Sequence, residues 1–169
     1  MKRTRTMARM GMVFAAALAL LVPAGTAHAA ARSVQVALRN DTGCTLNFHS
    51  KYANGGKWVG NPPDVITKDG LGDYVDYGQG IATESNGLFT GTEGRIVYTT
   101  SNCTKANLFI AFHWINPYAG SNSYDAKGTS RAFGCWRDEG RNDNVQVLAV
   151  FALNSKATAQ PGTTTRCTQ

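Results

Sequence analysis

From Ser33 to Leu38 the chain reads Ser-Val-Gln-Val-Ala-Leu, apolar and polar positions alternating with the period of a half-buried strand. Asn40-Asp41-Thr42-Gly43 closes that run with turn chemistry, and the alternation resumes from Thr45 to His49. Asn54-Gly55-Gly56 is a second turn, followed by Lys57-Trp58-Val59 and then Pro62-Pro63, which exclude a central strand or helix there. Val65-Ile66 precedes a polar, glycine-rich stretch from Lys68 to Gly80. Arg95 to Thr99 reads as a short strand. Asn107 to Trp114 is a mostly apolar run of eight bounded by turns, a length that suits a buried strand better than a helix. Further strands are expected at Arg131–Arg137 and Val145–Leu153, and the polar tail beyond Asn154 reads as extended or mobile apart from Cys167. No stretch past residue 30 sustains a capped 3.6-residue period, so the pattern predicts one compact, antiparallel all-β sandwich.

The first 29 residues follow a different rule. Lys2, Arg3, Arg5 and Arg9 precede an apolar run from Gly11 to Val22, and Ala27-His28-Ala29 is a small-x-small site. This is the form of a secretory signal peptide cleaved after Ala29, and its apolar run is too short to span a bilayer as a helix. The expected organisation is 1–29 signal, 30–154 sandwich domain and 155–169 polar tail, with an exported and extracellular product. Loss of the signal also changes the charge. Of 17 cationic residues four leave, and 13 remain against 11 acids, so the net charge falls from +6 to +2. That removes the main support for nucleic-acid binding. Arg131, Arg137 and Arg141 lie near Trp136, but Asp138, Glu139 and Asp143 interleave with them.

Cys44, Cys103, Cys135 and Cys167 all fall in the expected exported part, an even number suited to disulfides in an oxidising compartment. Three pairings are open. Cys44–Cys103 with Cys135–Cys167 is favoured here because the second bond would tie down the tail. Zinc is disfavoured: there is no Cys-x-x-Cys pair, and only His49 and His113 follow the signal. The same two histidines limit nucleophilic catalysis, and neither a Gly-x-Ser-x-Gly elbow nor a His-Glu-x-x-His helix occurs. The acid pairs Asp73/Asp76 and Asp138/Glu139 read as solvated loop charges. No enzyme activity, cofactor or metal is expected.

Recognition by aromatic side chains has more support. Three Trp, six Tyr and six Phe follow the signal, several beside turns, where rings with one polar end suit sugar faces, quaternary ammonium groups and membrane interfaces. Two segments are distinctive. One runs from Glu84 through Gly87-Leu88-Phe89-Thr90-Gly91-Thr92-Glu93-Gly94 to Tyr98, and the other from Phe112 through His113-Trp114-Ile115-Asn116-Pro117-Tyr118 to Tyr124. Together with Gly56-Lys57-Trp58 ahead of Pro62-Pro63, they resemble the aegerolysin family, particularly its bacterial crystal-protein-like members. A more distant likeness is to the actinoporin-like sandwich. The resemblance covers most of 33–153 and implies a β-sandwich that binds membrane lipid peripherally. In some members it implies action as a cytolysin with a separate pore-forming partner protein.

On that reading Trp58, Trp114, Tyr118 and Tyr124 supply interfacial rings, while Asn116, Ser121, Asn122 and Glu93 hydrogen-bond a lipid head group. Glu93 and Glu84 are both candidates for the family's head-group-selecting acid. The chain departs from the many acidic, leaderless members in its mild basicity, its signal and its four Cys. The rival reading is a secreted carbohydrate-binding or protein-inhibitor module.

Overall fold

The computed structural model describes residues 32–67, 74–75, 80–139, 143–154, 163 and 165–169. The expected signal peptide, the Asp73/Asp76 pair, Arg141 and most of the tail lie outside the described residues. In chain order the strands are β1 (Ser33–Asp41), β2 (Thr45–Asn54), β3 (Gly56–Trp58), β4 (Val65–Ile66), β5 (Tyr74–Val75) and β6 (Ala82–Ser85). They continue with β7 (Thr92–Ser101), β8 (Phe109–Asn116), β9 (Ser123–Asp125), β10 (Phe133–Glu139), β11 (Asn144–Leu153) and β12 (Thr165–Arg166). No helix occurs among the described residues. The all-β expectation holds.

The strands form two sheets. Sheet A has the order β12-β10-β11-β1-β6-β3, with β5 pairing onto β1, and sheet B has the order β4-β2-β7-β8-β9. Named ladders are antiparallel except β1–β11, which run parallel from Ser33↔Asn144 to Asp41↔Ala152. A parallel pair cannot be closed by a hairpin, so everything between residues 41 and 144 serves as its crossover. The strand that opens the fold is thereby completed only by the last long strand.

Alternation then decides what fills the interior. On β8, Ile110, Phe112, Trp114 and Asn116 point inward, while His113 and Ile115 point outward. On β7, Thr92, Gly94, Ile96, Tyr98 and Thr100 point inward and Glu93, Arg95, Val97 and Thr99 outward. Facing them from sheet A are Val34, Val36 and Leu38 of β1 and Val145, Val147, Ala149 and Phe151 of β11. Phe112 sits centrally, with ring centroids 6.0 Å from Trp114, 6.3 Å from Tyr124 and 6.5 Å from Phe151. The Tyr98 hydroxyl donates to the Pro63 carbonyl at 3.1 Å, and burial, with the Asp64 charge nearby, pushes its phenol pKa well up.

The disulfides are Cys44–Cys103 and Cys135–Cys167, the pairing favoured above. They join cysteines 59 and 32 positions apart in sequence, and loop closure of that size restricts the unfolded chain by about 4 kcal/mol each. The second holds more than a loose end. β12 pairs with β10, the Cys167 amide donates to the Cys135 carbonyl at 2.9 Å, and the Ala126 amide donates to the Thr168 carbonyl at 2.7 Å. Residues 165–168 thus join the edge of sheet A to that of sheet B. Truncating Phe112 to Ala, which empties the middle of this core, is expected to cost about 3–5 kcal/mol in urea unfolding under oxidising conditions.

Candidate functional site

The starts of β1, β7, β9 and β11 and the ends of β2, β6 and β8 gather at one end of the sandwich, as their ladders require. Among the described residues three loops therefore share that end: Asn54–Gly55, 86–91 and 117–122. They lie close together. A Cβ on Gly91 would come 2.6 Å from the Asn116 carbonyl oxygen and 2.7 Å from Pro117 Cα, so only glycine fits.

Arg32 knots this end. Its guanidinium reaches Asn116 Oδ1 at 3.1 Å and Asp143 Oδ1 at 3.0 Å, and lies 5.6 Å from the centroid of the Tyr118 ring. Beyond it three apolar side chains face solvent: Leu88 is 61%, Phe89 73% and Tyr118 46% exposed. The Phe89 and Tyr118 rings meet edge to face at 5.1 Å. With Arg32, Gly87, Thr90 and Asp143 they line a hollow of about 200 Å³. Phe89 also has a positive φ of 59°, a backbone conformation that is unfavourable for a bulky side chain.

Several residues assigned by sequence to lipid contact lie elsewhere. Trp114 is fully buried; its indole N–H donates to Thr83 Oγ1 at 2.9 Å, and the ring occupies space left by Gly94, where a Cβ would collide with it. Asn116 is equally buried, its amide donating to the Ser33 carbonyl at 3.2 Å and the Asp143 carbonyl at 2.9 Å. Tyr124 is 5% exposed, stacked on Phe112, with the Arg137 guanidinium 4.8 Å above its ring. In this fold these three brace the interior and offer no surface to a ligand, because strand alternation turns them inward. Trp58 is half-buried, edge-on to Trp114 at 5.6 Å with Lys51 5.3 Å from its ring, and its Nε1 has no hydrogen-bond partner. Tyr118, Ser121 and Asn122 sit on the 117–122 loop; Tyr118 and Ser121 are exposed and Asn122 half-buried.

Glu93 belongs to a different feature. On the outer face of sheet B, His113 Nε2 lies 3.0 Å from Glu93 Oε1 and its Nδ1 lies 2.9 Å from Asp125 Oδ2. A ring nitrogen bonds a carboxylate only as an N–H donor, so holding both at once takes the doubly protonated ring. Both ring nitrogens face carboxylates, whereas a hydrolytic triad turns one of them to a hydroxyl or thiol. Around it Ser50, Lys51, Tyr52, Arg95 and Lys127 complete a pocket of about 380 Å³. His49, the other candidate, sits at a β2 bulge with its ring 5.4 Å from Phe109.

Burial pushes the Asp125 carboxyl up. The His113 hydrogen bond, the Lys127 amide and both positive charges outweigh that and hold it below the usual aspartate value. Leu88, Phe89, Arg32 and Asp125 were not singled out from sequence. The pair of large apolar residues flanked by Gly87 and Gly91 was the available signal for the first two. Asp125 gave none, since its place beside His113 depends on the β8–β9 register.

No family model matches the chain, and no curated protein matches it either. Solved structures do match. The fold resembles that of the lipid binding protein Nakanori. The two superpose with a TM-score of 0.55 at 15% identity, over 72% of this chain and 71% of Nakanori. Likeness at that identity shows a shared fold.

The lowered Asp125 carboxyl sets an acid dependence. A depressed folded-state value adds stability that is complete above the unfolded pKa, about 3.9, and disappears as pH falls through the folded one. Asp125→Asn should therefore melt below wild type near neutral pH, with the two curves converging as pH falls below the ordinary aspartate range in a calorimetric pH series.

Proposed function

We propose that this is a secreted, non-catalytic, aegerolysin-like protein that binds membrane lipid head groups peripherally through the loop end carrying Leu88, Phe89 and Tyr118. The observation that carries the reading is Phe89. Its positive φ is unfavourable for an aromatic residue and its ring is 73% exposed, so folding gains from neither its conformation nor its burial. An aromatic and a leucine side by side at a loop tip gain instead by entering the interfacial layer of a bilayer. The shared fold with a lipid binding protein supports the same assignment, and the two disulfides suit an exported product.

In mechanism, Leu88 and Phe89 dip into the acyl boundary. Tyr118 rests at head-group level with its hydroxyl in water, and Ser121 and Asn122 on the neighbouring loop supply hydrogen bonds to the head group. Arg32, fixed against Asn116, Asp143 and the Tyr118 ring, gives the tip a rigid base. Trp58, with its unpartnered indole N–H, flanks the site from β3. No helix among the described residues is long and apolar enough to cross a membrane. The reading assigns membrane association to this chain and any lysis to a separate pore-forming partner.

The experiment is liposome co-sedimentation of oxidised protein across phosphocholine, phosphoethanolamine, sphingolipid and sterol compositions. Phe89→Gly is expected to keep or raise the melting temperature, because glycine accepts the positive φ, while weakening vesicle binding about tenfold or more. Leu88→Ser should do the same to binding without changing the melt. Binding that is unaffected by both substitutions sinks this loop assignment. Absence of vesicle binding together with recognition of one sugar on a glycan array would establish the carbohydrate-binding module instead.

A further inference from the structure

The pocket around His113 plays no part in the loop-tip mechanism, yet it has the construction of a ligand site. Its cations arrive from separate parts of sheet B, Arg95 from β7 and Lys127 just after β9, while Lys51 of β2 lines the wall with its ammonium turned away to the Asn61 side-chain oxygen at 3.1 Å and the Trp58 ring. Among the described residues neither Arg95 nor Lys127 makes an ion pair within 4.0 Å. The acids that would neutralise them are the pocket's own Glu93 and Asp125, and His113 engages both, with Asn54 Nδ2 taking the second Glu93 oxygen at 3.1 Å. The histidine thus draws the negative charge inward and leaves the cations uncompensated at the rim.

We propose that this pocket binds a phosphate-type anion, a phosphate mono- or diester, held by Arg95 and Lys127. Arg95 is already placed for the task. Its Nη2 donates to the Lys127 carbonyl at 3.1 Å and packs against Gly128, where a Cβ would come within 2.6 Å of that nitrogen. The guanidinium is fixed by one edge, and its remaining N–H groups are available in the planar fork that suits phosphate oxygens. Lys127 adds a compact charge beside it. A volume of about 380 Å³ holds a phosphate ester with several further atoms, and the exposed Tyr52 ring at the wall offers a face to an attached organic group.

A free phosphate ester and the phosphodiester of a lipid head group share this chemistry, and the pocket begins one residue beyond the loop end, at Glu93. The test uses calorimetric titration with inorganic phosphate and with glycerophosphocholine, and vesicle pelleting with phosphatidylcholine, for wild type and Arg95→Gln/Lys127→Gln. Saturable binding that falls about tenfold or more in the double variant is the expected result. Lys57→Gln, whose lysine pairs with Glu84 outside the pocket, and the loop variant Phe89→Gly should both bind the soluble anions like wild type. Binding of the soluble anions with this pattern assigns the site to free phosphate esters. Dependence on Arg95 and Lys127 seen only with vesicles assigns it to the lipid phosphodiester. Failure to bind phosphate in any of the three forms overturns the proposal. So does equal binding by wild type and a double variant whose circular dichroism and melt are unchanged.

Because Phe89→Gly acts only on membrane insertion, loss of the loop reading and loss of this one are separable.

Discussion

Two buried polar contacts at the end of β8 fix how the sheets meet. Trp114 crosses from sheet B to bond Thr83 of β6, and two residues later Asn116 reaches the Ser33 and Asp143 carbonyls at the starts of β1 and β11. The apolar side chains between the sheets supply most of the stabilisation, but they are non-directional and would tolerate a shift of one sheet over the other. Hydrogen bonds in a dry interior do not, because a partner lost there leaves a donor unsatisfied at about 1–3 kcal/mol. The space for this arrangement is made by Gly94, directly opposite Trp114 in the β7–β8 ladder.

Everything at the loop end inherits that alignment. Arg32 bonds the same Asn116, its guanidinium lies against Tyr118, and Tyr118 meets Phe89 edge-on. A chain of contacts therefore runs from the core bridge to the most exposed ring. The tip is a rigid projection on a braced base, which limits the ordering entropy of any partner it meets. The outer face of sheet B depends on the alignment less directly. There the pleat alone sets Glu93, Arg95 and His113 on one side, and the ladders bring Asp125 beside His113.

The two faces divide polar and apolar work. Leu88, Phe89 and Tyr118 expose hydrocarbon where the structure gains nothing from it, whereas the pocket spends its acids on His113 and leaves cations outward.

Alternation along β1, β7, β8 and β11, turn residues between them and four cysteines were enough to read the all-β fold and favour its disulfide pairing. Those signals are local, and a period of two needs no partner to be visible. The parallel β1–β11 pairing, the strand added by Thr165–Arg166 and the joining of the two sheet edges through Thr168 were not readable, since each depends on which strands lie side by side. The site divided the same way. Sequence located the 117–122 loop and its tyrosine, but treated Trp114, Asn116 and Tyr124 as surface groups. Aromatic and amide side chains look alike whether they face lipid or brace a core. Which of these a residue does is set by the face its strand buries, and that is decided by the packing of two sheets distant in sequence. The chain by itself determined periodicity, turns and oxidisable cysteines; only the tertiary structure decided register and sheet packing, which buried Trp114 and left the loop carrying Phe89 at the exposed end of the sandwich.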